Sequence, residues 1–161
     1  RPVLKDQIAR VLEQESPISK NLLCKRVLSA WGISRLGTRI SAHFDQIFAE
    51  MELRESGDAA NRFFWKQDHD PQAYLGWRAS SEDAQKRDAE DLPPEEIANV
   101  IKQILSHQIS LPVADLGREA ARLFGFSRTG ANVETAMQKG IARAVQLGIA
   151  KEENGRMVLV G

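Results

Sequence analysis

The chain has 161 residues and a formal net charge of zero, with 22 basic and 22 acidic side chains. This length fits one medium domain or two small ones, and the charge balance argues against a protein that coats nucleic acid by bulk charge. No apolar run reaches the ~18 residues of a membrane span, so we expect no membrane partner. The single cysteine suits a reducing cytosol, and no signal peptide pattern is present, so we expect a cytoplasmic location. The sequence opens with Arg1 and enters a helical pattern at once, so we expect it to be part of a longer chain.

The first half of the chain has the pattern of three helices followed by a β-hairpin. Apolar residues recur at helical spacing in three stretches, and Pro17 and Gly32 mark the ends of the first two. Ser19 is placed to cap the second helix. The third helix follows a short turn. After it the period becomes alternating, which predicts strands over 52–55 and 62–65.

The second half repeats this pattern. Ile8–Ile40 aligns without a gap with Ile101–Val133, at a constant offset of 93 residues. Both copies keep an aromatic-Gly-apolar-Ser-Arg-x-Gly run, which spans Trp31–Gly37 in the first and Phe124–Gly130 in the second. The second copy ends in an Asn-Gly pair between two short alternating stretches, which is a strong signal for a two-residue hairpin turn.

We therefore predict a mainly α fold with small β-hairpins (α+β), built from tandem duplicated winged helix-turn-helix domains. The predicted domains are 1–66 and 93–161, joined by a partly docked polar connector over 67–92. The residues expected in the first core are Ile8, Leu12, Leu23, Val27, Trp31, Ile40, Phe44 and Ile47. Their counterparts in the second core are Ile101, Leu105, Leu116, Ala120, Phe124, Val133, Met137 and Ile141 or its neighbour Gly140.

The connector is expected to have two parts. Tyr74, Leu75 and Trp77 are too apolar for a free linker, so we expect them to lie against one of the domains. The charged stretch 80–90 is expected to face solvent.

We find no catalytic, cofactor-binding or metal-binding pattern in the sequence. The three histidines stand far apart without partners at metal-ligand spacing, and no Gly-rich phosphate loop is present. Asp68-His69-Asp70 could touch an ion, but a solvated loop fits a lone histidine better. Cys24 lies among apolar helical residues, which favours a buried thiol over a nucleophile. We expect no enzyme activity, cofactor or metal in this fragment.

The turn before each third helix is the strongest candidate for binding. In a helix-turn-helix protein the N-terminal end of the third helix enters the major groove, so Arg35 and Arg128 are placed to meet phosphate. Each arginine could equally cap the preceding helix or pair with a carboxylate. The glycines of the turn are better explained by backbone geometry.

Further candidates lie on the exposed face of each predicted third helix and on the hairpins, or wings. They are Arg39, His43 and Gln46 with the wing residues Arg54 and Arg62 in the first copy, and Asn132, Lys139 and Arg143 in the second. A solvated helix face would have the same composition. Nearby acidic residues such as Asp45 and Glu55 dilute the positive charge, so we expect modest, salt-sensitive affinity for DNA.

Several runs resemble an uncharacterised bacterial domain family. They are Arg1–Leu4, Gln14–Ile18 and Trp31–Gly37 in the first copy, and Leu92–Asn99 and Arg118–Gly130 in the second. This domain of unknown function occurs at the C-terminal end of large superfamily 1 helicase-like proteins, after an endonuclease-like domain. The resemblance implies a nucleic-acid-processing parent protein whose ATPase and nuclease parts lie upstream of Arg1. It carries over no catalytic residue.

Together these observations predict an accessory DNA-binding or DNA-positioning module, whose partners are DNA and the upstream domains of its parent. The alternative is a protein-interaction or dimerisation module built from winged helices, with no direct DNA contact. The net charge of zero favours that alternative. A homo-oligomer is compatible with both predictions.

Overall fold

The computed structural model describes residues 2–58, 61–78 and 87–160. The chain divides into two compact units, Arg1–Pro71 (unit 1) and Gln72–Gly161 (unit 2). Over the described residues the fold is mixed α/β, with six α-helices and two small antiparallel sheets. None of these helices has both the length and the apolar character that a membrane span requires.

Unit 1 is built from three helices and a three-stranded antiparallel sheet. In chain order these are α1 (Pro2–Glu15), β1 (Ile18–Ser19), α2 (Lys20–Ala30), α3 (Thr38–Met51), β2 (Arg54–Gly57) and β3 (Arg62–Trp65). The strand order is β1-β3-β2. The Ser19 hydroxyl accepts a hydrogen bond from the Leu22 amide at 3.2 Å, which confirms the predicted cap of α2.

Unit 2 has the same order of elements and strands. They are α4 (Pro94–His107), β4 (Leu111–Pro112), α5 (Val113–Phe124), α6 (Ala131–Gln146), β5 (Ala150–Glu153) and β6 (Arg156–Leu159). The strand order is β4-β6-β5. Asn154 and Gly155 join β5 to β6 with φ of 54° and 80°, so the predicted two-residue hairpin turn is confirmed.

Each unit has its own hydrophobic core, and most of the predicted core residues are buried in it. The confirmed residues are Ile8, Leu12, Leu23, Val27, Phe44 and Ile47 in unit 1, and Ile101, Leu105, Leu116, Ala120, Phe124, Met137 and Ile141 in unit 2. Ile40 and Val133 are half-buried and pack against these cores. Apolar periodicity therefore identified the inner face of nearly every helix.

Trp31 is the exception, and its predicted place in the core is wrong. Helix α2 ends at Ala30, and the Trp31 side chain is 57% exposed. Its indole N–H donates to the Gln7 side chain on α1 at 2.8 Å. An indole needs an acceptor for its N–H group, and here the acceptor lies at the surface. Phe124, the aligned residue, has no polar atom and is fully buried.

Helices α4 and α6 cross closely at Gly140. A Cβ atom added to Gly140 would lie 2.0 Å from Cγ2 of Ile97 on α4. The absence of a side chain on Gly140 therefore allows the two helices to pack against each other.

The segment before α4, here called the strap (residues 72–78 and 87–92), packs within unit 2. The Trp77 ring meets Phe124 edge-on with 5.4 Å between ring centroids, and its indole N–H donates to Gln103 at 3.1 Å. Asn99 donates to the carbonyl groups of Tyr74 and Gly76 at 2.9 and 2.8 Å. Trp77 and Tyr74 are thus ordered against a domain, as predicted for these two residues.

Other expectations for the strap are wrong. Leu75 is 77% exposed, so it is not docked. Arg87 and Ala89 belong to the stretch predicted to face solvent, but both are buried. Arg87 is buried because Glu96 on α4 binds it, with Nη1 at 2.6 Å from Oε2. The rest of the expected solvent-facing stretch, residues 80–86, lies outside the described residues.

Candidate nucleic-acid interface

The turn between α2 and α3 presents one arginine to solvent. Arg35 is exposed, and it has no hydrogen-bond or ion-pair partner within the described residues. Its neighbour Leu36 packs against the core of unit 1, which anchors the turn. Helix α3 then begins after Gly37, and no side chain caps its first amide groups. Uncapped amides at a helix N-terminus attract anions.

The turn between α5 and α6 has the same features. Arg128 is exposed and has no partner within the described part of the chain. Helix α6 begins after Gly130, again without a side-chain cap. No contact among residues 2–58, 61–78 and 87–160 supports the alternative role for the two turn arginines, in which each pairs with a carboxylate or caps the preceding helix. The αL conformation that ends α5 belongs to Gly125, with φ of 103°.

The exposed faces of α3 and α6 follow directly from these turns. Arg39, His43 and Gln46 are exposed at i, i+4 and i+7 on α3, on a different face from the buried Phe44 and Phe48. On α6, Asn132 and Lys139 are exposed two helical turns apart. Five of the predicted residues, three on α3 and two on α6, are therefore exposed on the helix that follows one of the two turns.

Arg62 is occupied by contacts inside unit 1. Its Nη1 lies 2.8 Å from Asp45 on α3, and its Nε lies 2.7 Å from Glu55 on β2. The Glu55 hydrogen bond, followed by the charges of both carboxylates, raises the pKa of Arg62 although partial burial opposes this. The guanidinium group also lies 5.2 Å from the Phe64 ring centroid. These contacts fasten the hairpin to α3, so we leave Arg62 out of the proposed interface.

Asp45 is the centre of this charge network. Besides Arg62 it binds Lys20, whose Nζ lies 2.8 Å from Oδ1. Desolvation acts to raise the pKa of Asp45, but the hydrogen bonds and charges of Lys20 and Arg62 outweigh it and lower the pKa. Asp45 and Glu55, which are predicted to dilute the positive charge, therefore neutralise two specific cations, Lys20 and Arg62.

Arg143 is also turned away from a nucleic-acid contact. Its Nε lies 3.2 Å from Oε2 of Glu95 on α4, and the side chain is 24% exposed. We therefore leave Arg143 out of the interface. Arg54 is exposed and makes one long contact, 3.5 Å from Nη1 to the His69 carbonyl oxygen, so most of its donors face solvent.

Lys25 is a candidate that the sequence analysis missed. It is exposed on α2, and together with Ser34 and Leu36 it lines an open pocket beside the turn, with a volume of about 370 Å³. Its counterpart at the offset of 93 residues is Arg118, which is also basic and exposed. A basic residue kept at the same position in both copies was the signal available in the sequence.

Neither Cys24 nor His69 has the surroundings of a reactive or metal-binding residue. Cys24 is fully buried, and burial raises the pKa of its thiol to about 12, so the thiolate is not formed near neutral pH. His69 Nδ1 lies 3.1 Å from the Ser16 hydroxyl, and partial burial lowers the pKa of the histidine. Within the described residues, no group of three or more His, Cys, Asp or Glu side chains could hold a metal ion.

Comparison with known proteins gives one family match. Residues 1–42 match the model of a family described as "Protein of unknown function (DUF3320)". The match covers α1, α2 and the start of α3, including the exposed turn with Arg35. No curated protein and no solved structure matches the chain.

Proposed function

We propose that this chain is an accessory nucleic-acid-binding module that positions DNA within a larger helicase- or nuclease-type protein. In this proposal each unit is a winged helix-turn-helix domain, and the two arose by tandem duplication. Helices α3 and α6 are the recognition helices, and the two hairpins are the wings. The module has no catalytic role of its own and works in the cytoplasm.

One observation carries the proposal: both units expose an arginine in the same turn, next to an uncapped third helix. The shared order of elements and strands supports a common origin of the units. The partner is expected to be DNA because exposed arginines and helix N-termini bind phosphate without reading sequence. The resemblance to the C-terminal domain of large helicase-like proteins supports the proposal that this chain is one module of such a larger protein.

Each unit has its own proposed contact surface, made of residues whose polar groups lie at the protein surface. These are Lys25, Arg35, Arg39, His43, Gln46 and Arg54 in unit 1, and Arg128, Asn132 and Lys139 in unit 2. Unit 1 holds more of the cations and is expected to contribute more of the affinity. Because phosphate contacts dominate, binding should be modest, steeply salt-dependent and weakly selective for sequence.

Fluorescence anisotropy with labelled duplex, forked and single-stranded DNA at several salt concentrations tests this proposal. We expect Arg35→Ala combined with Arg39→Ala to weaken binding to all sequences alike. The variant should also lower the salt slope by about two, one for each phosphate group that the protein no longer binds. The matched control is Arg10→Ala with Lys102→Ala, which removes two exposed cations from α1 and α4.

The control variant should bind as the wild type does. A wild-type chain that binds none of these DNAs at low salt would contradict the proposal. Equal losses of affinity in the two double variants would mean that binding follows overall charge and not this surface.

The second candidate function is dimerisation without DNA contact. Trp31 is 57% exposed, Val3 58% and Ile33 40%, and exposed apolar side chains that form one patch can mark a protein–protein contact. Val3 lies one helical turn before Gln7, the residue that Trp31 contacts. If this surface joins two copies, sedimentation should show a concentration-dependent dimer that Trp31→Ala dissociates. A monomer at all concentrations would exclude this candidate.

A further inference from the structure

Unit 2 contains an open cleft between α5 and α6. Its volume is about 430 Å³. Gly117 on α5 with Met137 and Ile141 on α6 form an apolar floor, and both α6 residues are more than nine-tenths buried. Arg118, Glu134 and Gln138 stand at its rim and are exposed.

Gly117 leaves this cleft open, although helix packing around it does not require a glycine. Glycine inside a helix is less favourable than alanine because a glycine backbone loses more conformational entropy when the chain folds. At Gly140 the close approach of Ile97 accounts for the glycine. At Gly117 a Cβ atom would come no nearer than 3.6 Å to Cβ of Met137, which is an ordinary contact. A methyl group would therefore fit at Gly117, and it would lie on the floor of the cleft.

In unit 1 the corresponding positions carry larger side chains. At the offset of 93 residues, Gly117 corresponds to Cys24 and Thr129, another residue lining the cleft, corresponds to Leu36. Cys24 is fully buried in the core of unit 1, and Leu36 packs against it. The smaller residues in unit 2 leave unfilled a space suited to a branched aliphatic group such as that of Leu36.

The rim of the cleft carries both signs of charge. One amino group of Arg118 contacts Asp115, and its other N–H groups have no partner within the described residues. The side chains of Glu134 and Gln138, one turn apart on α6, have no hydrogen-bond partner in the described part of the chain. An apolar floor below an unneutralised carboxylate and a guanidinium group is complementary to a zwitterion with an aliphatic side chain.

We propose that unit 2 binds a small zwitterion with a branched aliphatic side chain, an amino acid of the leucine type, in the cleft between α5 and α6. The side chain lies on Gly117, Met137 and Ile141. The carboxylate meets Arg118 and the ammonium group meets Glu134. This proposal is independent of nucleic-acid binding.

An NMR titration of the full 161-residue chain tests the proposal. L-Leucine should shift the amide signals of the cleft residues in a saturable way. Glycine, which lacks the side chain, and 4-methylpentanoate and 3-methylbutylamine, which each lack one charged group, should bind at least about tenfold more weakly.

Thr129→Leu should abolish the leucine response by filling the cleft, whereas Thr135→Leu, which adds the same side chain at an exposed position of α6, should not. Arg118→Gln and Glu134→Gln alter only exposed side chains, and each should weaken binding about tenfold or more. The proposal is wrong if leucine causes no saturable shift in the wild type. It is also wrong if glycine binds as tightly as leucine, or if Thr129→Leu or both rim variants keep wild-type affinity.

Discussion

Arg87 and Glu96 form a two-point ion pair inside unit 2. Nη1 of Arg87 lies 2.6 Å from Oε2 of Glu96, and Nη2 lies 3.0 Å from Oε1. Nη2 also donates to the Arg78 carbonyl at 2.7 Å, and the Arg78 amide donates to Glu96 Oε1 at 2.9 Å. One carboxylate on α4 therefore holds both described parts of the strap.

Breaking this pair should destabilise the protein strongly. Arg87→Ala leaves Glu96, which has no exposed surface, as an uncompensated buried charge, so we expect a loss of about 3–5 kcal/mol in the free energy of unfolding. Urea denaturation measures this. Lys151→Ala, which removes a partner from the exposed Lys151–Glu153 pair, is the control and should cost less than about 1 kcal/mol. Equal losses of stability in the two variants would contradict the assignment.

Trp31 and Phe124 occupy aligned positions but should respond differently to truncation. Phe124→Ala removes a fully buried ring that Trp77 contacts, so it should cost about 3–5 kcal/mol of unfolding free energy. Trp31→Ala removes a largely exposed ring with one surface hydrogen bond, and its cost should be about 1–2 kcal/mol. Thermal or urea unfolding of the two variants checks the order. A larger loss for Trp31→Ala would show that its ring is buried.

Glu95 should give the stability of the protein a pH dependence of known sign. Burial raises the pKa of Glu95 above its ordinary value of 4.5, although Arg143 opposes this shift. The folded protein then holds the proton more tightly than the unfolded chain, so this contribution to stability is full below pH 4.5 and is lost as pH rises through the folded pKa.

Glu95→Gln removes that dependence. Relative to wild type, the variant should gain stability as pH rises from about 4.5 through the folded pKa of Glu95. Urea unfolding of both proteins at a series of pH values provides the comparison. A stability difference that stays constant across this range would show that the fold does not shift the pKa of Glu95. A difference that changes in the opposite direction would show that the fold lowers this pKa, and either result contradicts the prediction.

The two interior helix glycines of unit 2 should respond to alanine with opposite signs. Gly140→Ala places a Cβ atom 2.0 Å from Ile97, so it should force α4 and α6 apart and cost about 1–3 kcal/mol. Gly117→Ala meets only an ordinary contact and should stabilise α5 by about 0.5–1 kcal/mol. Denaturant midpoints of the two variants measure this. A stabilising Gly140→Ala would mean that the helices do not cross closely there.

Much of the local structure could be predicted from short stretches of sequence. The cap at Ser19, the Asn154-Gly155 turn and the inner faces of the helices each depend on residues within a few positions of one another. Hydrogen-bond patterns and side-chain periodicity at that range are properties of the local backbone. The exposure of Arg35, Arg39 and Arg128 follows from the same periodicity, whereas their contact with DNA stays a prediction.

The roles of individual charged and aromatic side chains were decided by partners distant in the sequence. Arg62 and Arg143 looked like surface cations, but Asp45 and Glu95 bind them from other elements. Arg87 looked solvated, and Trp31 and Phe124 looked equivalent. The sequence by itself determined the elements and their inner faces because those depend on neighbouring residues. Only the tertiary structure decided which charges are neutralised and which ring is covered, because desolvation and pairing depend on what packs against each side chain.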